Sequence, residues 1–121
     1  MEMQVETLLS DQLARYLDLA TSQIKLTAAN MANIDTPGYR AVGMDFEAEM
    51  REAMSGVDQG RPARQVRLKA VDGLIARPDG NNVSMDREGL NLAEAQLEFK
   101  TGVALLKLEN QRVMDAIHSD K

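Results

Sequence analysis

The chain has no cysteine and no tryptophan, and only two phenylalanines and two tyrosines among its 121 residues. Without thiols there are no disulfide staples, no thiolate nucleophile and no cysteine-based metal site. With so few aromatics, leucine, alanine, methionine, valine and isoleucine must fill the interior. Such a mixture suits helix-on-helix packing better than a β-sandwich, whose strands favour aromatic and β-branched residues. Concentrated basic runs are also missing and the formal charge is −5. Nucleic acid and anionic membrane surfaces therefore find no electrostatic footprint here. The longest plainly aliphatic run, Val103 to Leu106, is far too short to span a bilayer, so no direct membrane insertion is expected. The first residues, Met1 to Thr7, are acidic and lack an apolar stretch, which speaks against a cleaved secretory signal. The single histidine, His118, has no convergent partners, and neither an Asp-x-Asp-x-Asp-Gly calcium loop nor a glycine-rich phosphate loop occurs. No catalytic residue, cofactor or metal is expected.

What is present is helical periodicity at both ends. The expected fold is all-α, with two long terminal helices pairing as an antiparallel coiled-coil-like arm around an irregular middle. Its segments are an N-terminal helix (1–35), a turn, short helix and soft middle (36–84), and a C-terminal helix (85–121). The two terminal helices form one structural domain. In the first helix, from about 5 to 34, Leu13, Leu17, Ala20, Ile24, Thr27, Met31 and Ile34 fall on one stripe, and Tyr16, Leu19 and Leu26 form a second apolar line. Residues 44–55 form a short amphipathic helix on Phe46, Met50 and Met54, capped by Asp45, supported by the Glu47–Arg51 pair and stopped at Gly56. Between Gly56 and Asn82 no period holds. The alternation of Val66, Leu68 and Ala70 permits a small β-hairpin turning at either Asp-Gly, and a loop ordered only against partners is the other reading.

In the C-terminal helix, Leu92, Gln96, Phe99, Val103, Leu106, Asn110, Val113 and Ile117 follow at spacings of four and three, a heptad seam with two polar members. Ser84 or Asp86 caps it, and Asp86 and Glu88 suit the positive end of its dipole. Gly89 and Gly102 each cost about 1 kcal/mol in a helix interior relative to alanine. Gly102 leaves room for close approach.

The first helix ends unusually, in Ala28-Ala-Asn-Met-Ala-Asn-Ile-Asp-Thr-Pro-Gly-Tyr39. Asn30 and Asn33 each cost roughly 0.6 kcal/mol relative to alanine. Thr36, ahead of a proline, must be extended, and Pro37 and Gly38 then fit the two central positions of a type II turn that directs Tyr39. These residues match, at every fixed position, the Ala-Asn-x-Ala-Asn-x-x-Thr-Pro-Gly-Tyr signature of bacterial flagellar axial proteins, the rod and hook group. Tyr39-Arg-Ala41 with Asp45-Phe46, and Asp79-Gly-Asn-Asn-Val83 before an Asp-Arg-Glu helix start, resemble the proximal members of the basal-body rod family. About fifty residues between the arms are too few for the inserted β domains of distal relatives.

The resemblance implies a structural subunit of the helical, torque-transmitting rod in the periplasm, exported by the flagellar type III apparatus without a cleaved signal. The implied partners are other rod proteins, copies of the chain, the rod–MS-ring junction protein and the export gate. Leu17, Ile24, Met31, Phe99, Val103, Leu106, Asn110 and Val113 become the expected assembly interface. The second apolar line of the first helix then faces neighbouring subunits. Asn30 and Asn33 bond across subunits or to the turn, offsetting their helix cost only in an assembly. The rival reading is a soluble helical-hairpin adaptor or export chaperone.

Overall fold

The computed structural model describes residues 7–119, so the start expected near residue 5 lies outside the described residues. Helix α1 is Leu8–Ala32, capped by Thr7, whose hydroxyl accepts from the Ser10 N–H at 3.0 Å. Strand β1 is Val42–Gly43, helix α2 is Phe46–Asp58, strand β2 is Lys69–Ala70 and helix α3 is Met85–His118. The caps Asp45 and Ser84 accept from Ala48 N–H (3.0 Å) and Arg87 N–H (3.3 Å). Each is an oxygen side chain satisfying a first-turn N–H that the helix leaves unpaired.

α1 and α3 pack antiparallel along their length. The Thr7 hydroxyl meets Glu109 Oε2 at 3.2 Å, Tyr16 and Leu17 lie against Gly102, and Asn30 Nδ2 donates to Glu88 Oε1 at 3.0 Å. The buried line on α1 is Leu13, Ala20 and Thr27; on α3 it is Glu88, Ala95, Gly102 and Glu109. Both recur every seven residues, as a coiled seam requires. The seam differs from the expected one. Leu92, Val103, Leu106, Val113 and Ile117 flank it half-buried, while Gln96, Phe99 and Asn110 are exposed. Apolar side chains stand on both flanks of α3, so its closest approach to α1 goes to the line with small residues at mid-seam. A Cβ on Gly102 would lie 2.7 Å from Leu17 Cδ2 and 3.0 Å from Tyr16 Cδ2. Gly102 therefore admits side chains of α1. No contact accounts for Gly89.

Two of the three residues on the second apolar line of α1, Tyr16 and Leu19, are covered within the chain, while Leu26 is half-buried. Tyr16 meets Phe46 of α2 edge-on (centroids 6.1 Å apart, planes at 81°), and Leu19 is buried. That corrects the expectation that this line awaits neighbours: a short amphipathic helix needs an apolar surface to lie on, and α1 supplies it. α2 also runs past Gly56, which is buried with Arg15 beside it, and the chain turns at Gly60, where φ is +68°. Glycine is the residue that adopts such a φ without strain.

Residues 59–68, exposed except for half-buried Val66, are tied to α2 by Arg61, Arg64 and Arg67, and the shortest of these ion pairs is that of Arg67 with Glu49. Arg67 donates from Nε (3.1 Å) and Nη2 (2.8 Å) to Glu49 Oε2 and from its backbone N–H to Oε1 (3.0 Å). Burial pushes the Glu49 carboxyl up, but the Arg67 hydrogen bonds and the charges of Arg67 and Arg64 outweigh it and hold it below its usual value. A depressed folded-state pKa stabilises above the unfolded carboxylate range and is lost as pH falls through the folded value. Acidification below about pH 4, where an unperturbed glutamate titrates, should release this segment first. The check is hydrogen exchange at the Arg67 amide, with protection lost in acid while the α1–α3 amides keep theirs. Protection that stays flat down to pH 3 would mean that the ion pair does not hold the segment.

The small sheet is not a hairpin around an Asp-Gly turn. β1 pairs antiparallel with β2, Val42 opposite Ala70 and Gly43 opposite Lys69. On the edge away from β2, Asn30 occupies both polar groups of Val42, and toward β2 the Ala41 carbonyl accepts from Val71 N–H at 3.3 Å. Residues 77–83 are committed to another structure. The core is thin: among the described residues seven apolar side chains are buried, three of them alanines, whereas eleven large apolar side chains are exposed.

Candidate functional site

The last turn of α1 carries Asn30, whose side chain is only 2% exposed. Its Oδ1 accepts from Val42 N–H (3.1 Å) and Tyr39 Oη (3.0 Å). Its Nδ2 donates to the Val42 carbonyl (2.8 Å) and to Glu88 Oε1 (3.0 Å). An amide offers two donors and two acceptor positions, and all are used. Toward Val42 it acts as a neighbouring strand's peptide would. One side chain thus joins α1, the segment after the turn, and α3.

Asn33 is the C-cap of α1. Its Nδ2 reaches back to the Ala29 carbonyl (2.8 Å), and its Oδ1 accepts from the Thr36 hydroxyl (3.0 Å). The turn forms as expected: Tyr39 N–H donates to Thr36 O at 3.2 Å across Pro37, and Gly38 has φ +75°. Against it lies a second turn, where Gly80 N–H donates to Arg77 O at 2.8 Å. Gly38 N–H donates to Asp79 O at 2.8 Å, and a Cβ on Gly80 would sit 3.4 Å from Gly38 Cα. The two glycines let the turns stack back to back.

Asn81, with no exposed surface, fastens this stack. Its Nδ2 donates to Asn33 O (2.9 Å) and Thr36 O (2.8 Å), and its Oδ1 accepts from Val83 N–H (2.9 Å). Asn82 Oδ1 accepts from Ala41 N–H at 2.6 Å, and Arg77 donates to the Ile34 carbonyl and to Val83 O (3.2 Å). Carbonyls at a helix C-terminus have no partner inside the helix, and here side chains from beyond residue 76 satisfy those around its end. Neither asparagine of α1 therefore depends on an assembly for its partners. This corrects the expectation that both need an assembly, most clearly for buried Asn30; a bond to the turn, the other expected course, is what Asn33 makes through the Thr36 hydroxyl.

Arg77, Asn81, Asn82 and Glu88 were not legible as site residues. Pro78-Asp-Gly-Asn-Asn82 did hold a signal: five turn-forming residues stand where two suffice. Glu88 reads locally as a helix-dipole partner, yet it is 1% exposed and turned onto α1. Burial pushes its carboxyl up, against the Asn30 hydrogen bond and the Arg87 charge.

The residues of the expected assembly interface lie along the margins of the α1–α3 seam. Leu17, Ile24, Met31, Val103, Leu106 and Val113 are half-buried; Phe99 and Asn110 are exposed. A separate line on α3, Leu90, Leu97 and Leu108, is 61, 66 and 66% exposed. At 3.6 residues per turn this line lies roughly opposite Ala95 and Gly102. Among the described residues no group of acidic, histidine or cysteine side chains could hold a metal ion, and no helix is long and apolar enough to cross a membrane.

Two terminal helices knotted at one end by stacked turns, with a thin core and apolar lines left outward, define a helical structural building block. The signature residues Asn30, Asn33, Thr36, Pro37, Gly38 and Tyr39 all belong to that knot or to the cap feeding it. The chain is 34% identical to the flagellar basal body rod protein FlgB of Salmonella typhimurium over an alignment of 119 residues, covering 84% of this chain and 86% of the relative. It is 32% identical to FlgB of Yersinia ruckeri over 111 residues (74 and 79% covered) and 32% identical to FlgB of Cereibacter sphaeroides strain ATCC 17023 over 117 residues (88 and 91% covered). No family model matches the chain. The chain belongs to the FlgB family of flagellar basal body rod proteins.

Proposed function

We propose that the chain is a structural subunit of the proximal rod, assembling helically with copies of itself and other rod proteins into the shaft that transmits torque. In this reading the rod–MS-ring junction protein and the type III export gate are its neighbours at the base, and export proceeds through the gate. The observation that carries the proposal is the outer apolar line of α3, Leu90, Leu97 and Leu108, left uncovered beside so thin a core. Isolated surface leucines are ordinary, whereas an aligned row on a long helix marks an interaction surface. The half-buried margins at Leu17, Ile24, Met31, Val103, Leu106 and Val113, with Phe99 and Asn110, would be completed by adjoining helices.

Leu97→Asp tests this directly, because Leu97 is exposed in the single subunit. The variant should keep the helicity and melting behaviour of the isolated chain. In cells it should still be exported yet fail to complete rods, since an unpaired carboxylate buried at an interface costs about 3–5 kcal/mol per subunit. Completed rods and normal swimming would remove this face from the assembly and the proposal with it.

A further inference from the structure

At the end of the arm away from the stacked turns, α1 and α3 enclose an apolar recess of about 210 Å³. Leu13, 8% exposed, lines it together with Leu9, Leu105 and Leu108, which are 47, 44 and 66% exposed. The polar side chains in its wall, Glu109 and Arg112, are already paired. The Glu109 carboxylate accepts from Arg112 Nε at 2.6 Å and from the Thr7 hydroxyl at 3.2 Å. A recess so lined suits an aliphatic occupant, since a charged or hydroxylated one would lose its water and gain no partner. Leu108 also belongs to the outer line of α3 with Leu90 and Leu97. The recess is therefore continuous with the face read above as the assembly surface.

The complementary feature stands at the opposite end of the arm. Ile75 is 92% exposed, more than any other large apolar side chain among the described residues. Its loop is held on both sides. Ahead of it, Val71 N–H donates to Ala41 O at 3.3 Å. Behind it, Arg77 N–H donates to Asn81 O at 2.8 Å, and the Arg77 guanidinium donates to the Ile34 and Val83 carbonyls. Gly73, with φ +80°, turns the chain between these ties, Leu74 is half-buried and Ile75 is left outward. The flanking bonds keep the loop by the C-terminal end of α1, and Leu9 lies about 35 Å from that end along the helix axis. Ile75 cannot fill the recess of its own chain. A lone exposed isoleucine needs no explanation. One held in place at one end of a chain, with an open aliphatic recess at the other, is a matched pair.

We propose that Ile75 of one subunit seats in the leucine recess of an adjoining copy of the same chain. The inference rests on the rod reading above and gives it one specific contact. A patch that meets its own like closes a dimer, whereas a patch that meets a different patch on the next copy leaves a free half at each end. An open helical assembly is built from contacts of the second kind. Here the two halves lie nearly the length of α1 apart, so each copy offers one half and receives the other.

The absence of cysteine makes the test clean, because the only thiols in the chain are those introduced. Ile75→Cys and Leu105→Cys chains with different epitope tags are produced together, and their basal bodies are treated with a short bismaleimide linker. A cross-linked dimer bearing both tags should form, at least about tenfold more than with either variant produced alone. A dimer equally abundant with Ile75→Cys alone would make the contact like-to-like and overturn the proposal. Rods that carry both thiols yet yield no dimer overturn it too, as does a product joining Ile75→Cys only to a different protein. Ile75→Asp decides the matter if the thiol variants build no rods. It should leave the melting of the isolated chain unchanged and lower completed rods at least about tenfold, since burying one isoleucine is worth that much in an association constant. Rods at the wild-type level, or a lowered melting temperature, overturn the contact. Leu97→Asp is run beside it: if that variant fails to build rods while Ile75→Asp builds them, only the Ile75 contact is lost. If both build rods, the rod surface itself is wrong.

Discussion

Asn30→Ala should destabilise the isolated subunit more than any other single change in the signature. It strands the Val42 N–H and carbonyl, the Tyr39 hydroxyl and Glu88 Oε1 at once. Each buried group left unsatisfied costs about 1–3 kcal/mol, and alanine returns about 0.6 kcal/mol of helix propensity. Part of the loss is relieved by water reaching the gap, so the net is about 3–5 kcal/mol, a large share of the 5–15 kcal/mol typical of a folded domain. Asn30→Asp should be no better at neutral pH, because its second oxygen would face the Val42 carbonyl and Glu88. Asn33→Ala is the control. Its bonds are exposed, so its net effect should stay within about 1 kcal/mol. Urea unfolding of the three variants, with exchange at the Val42 amide, reads the difference. Equal costs at Asn30 and Asn33 would mean that the buried network does not hold this end together.

The second large effect is at the middle of the seam. Gly102→Val should separate α1 from α3, because a Cβ at that position would already lie 2.7 Å from Leu17 and 3.0 Å from Tyr16. Two further methyl groups have nowhere to go without moving a helix, and overpacking of this kind costs about 1–3 kcal/mol. Gly102→Ala is instructive beside it. The clash there involves the mobile end of a leucine and a ring edge, while helix propensity improves by about 1 kcal/mol, so the net should be near zero. Valine should therefore lower the melting temperature clearly and abolish rod completion, with alanine close to wild type. A valine variant as stable as wild type would place Leu17 and Tyr16 away from Gly102 and refute the seam.

These two sites divide what the linear chain determines from what it leaves open. The turn at Thr36–Tyr39 was legible because its causes are local: proline constrains the residue before it, and glycine alone takes the positive φ next. The caps at Asp45 and Ser84 and the helical character of both ends are local in the same sense, since a cap acts across three residues and periodicity repeats every turn. The role of Asn30 was not local. Its partners lie 9, 12 and 58 residues away, and the two carbonyls that Asn81 holds lie 45 and 48 residues away, so no short window of sequence contains the whole network that explains them. The face of α3 was undecided for another reason. Leucines stand on several of its sides, and a period gives the spacing of a stripe without saying which stripe is covered. Only the packed structure decides that, because close approach depends on where Gly102 and Ala95 leave room for the side chains of α1. The same holds for β1, which pairs with Lys69–Ala70 on one edge while Asn30 takes the polar groups of Val42 on the other. A side chain's local preference is fixed by its own backbone, whereas the pairing of a buried polar group is fixed by whatever the whole fold brings within 3 Å of it.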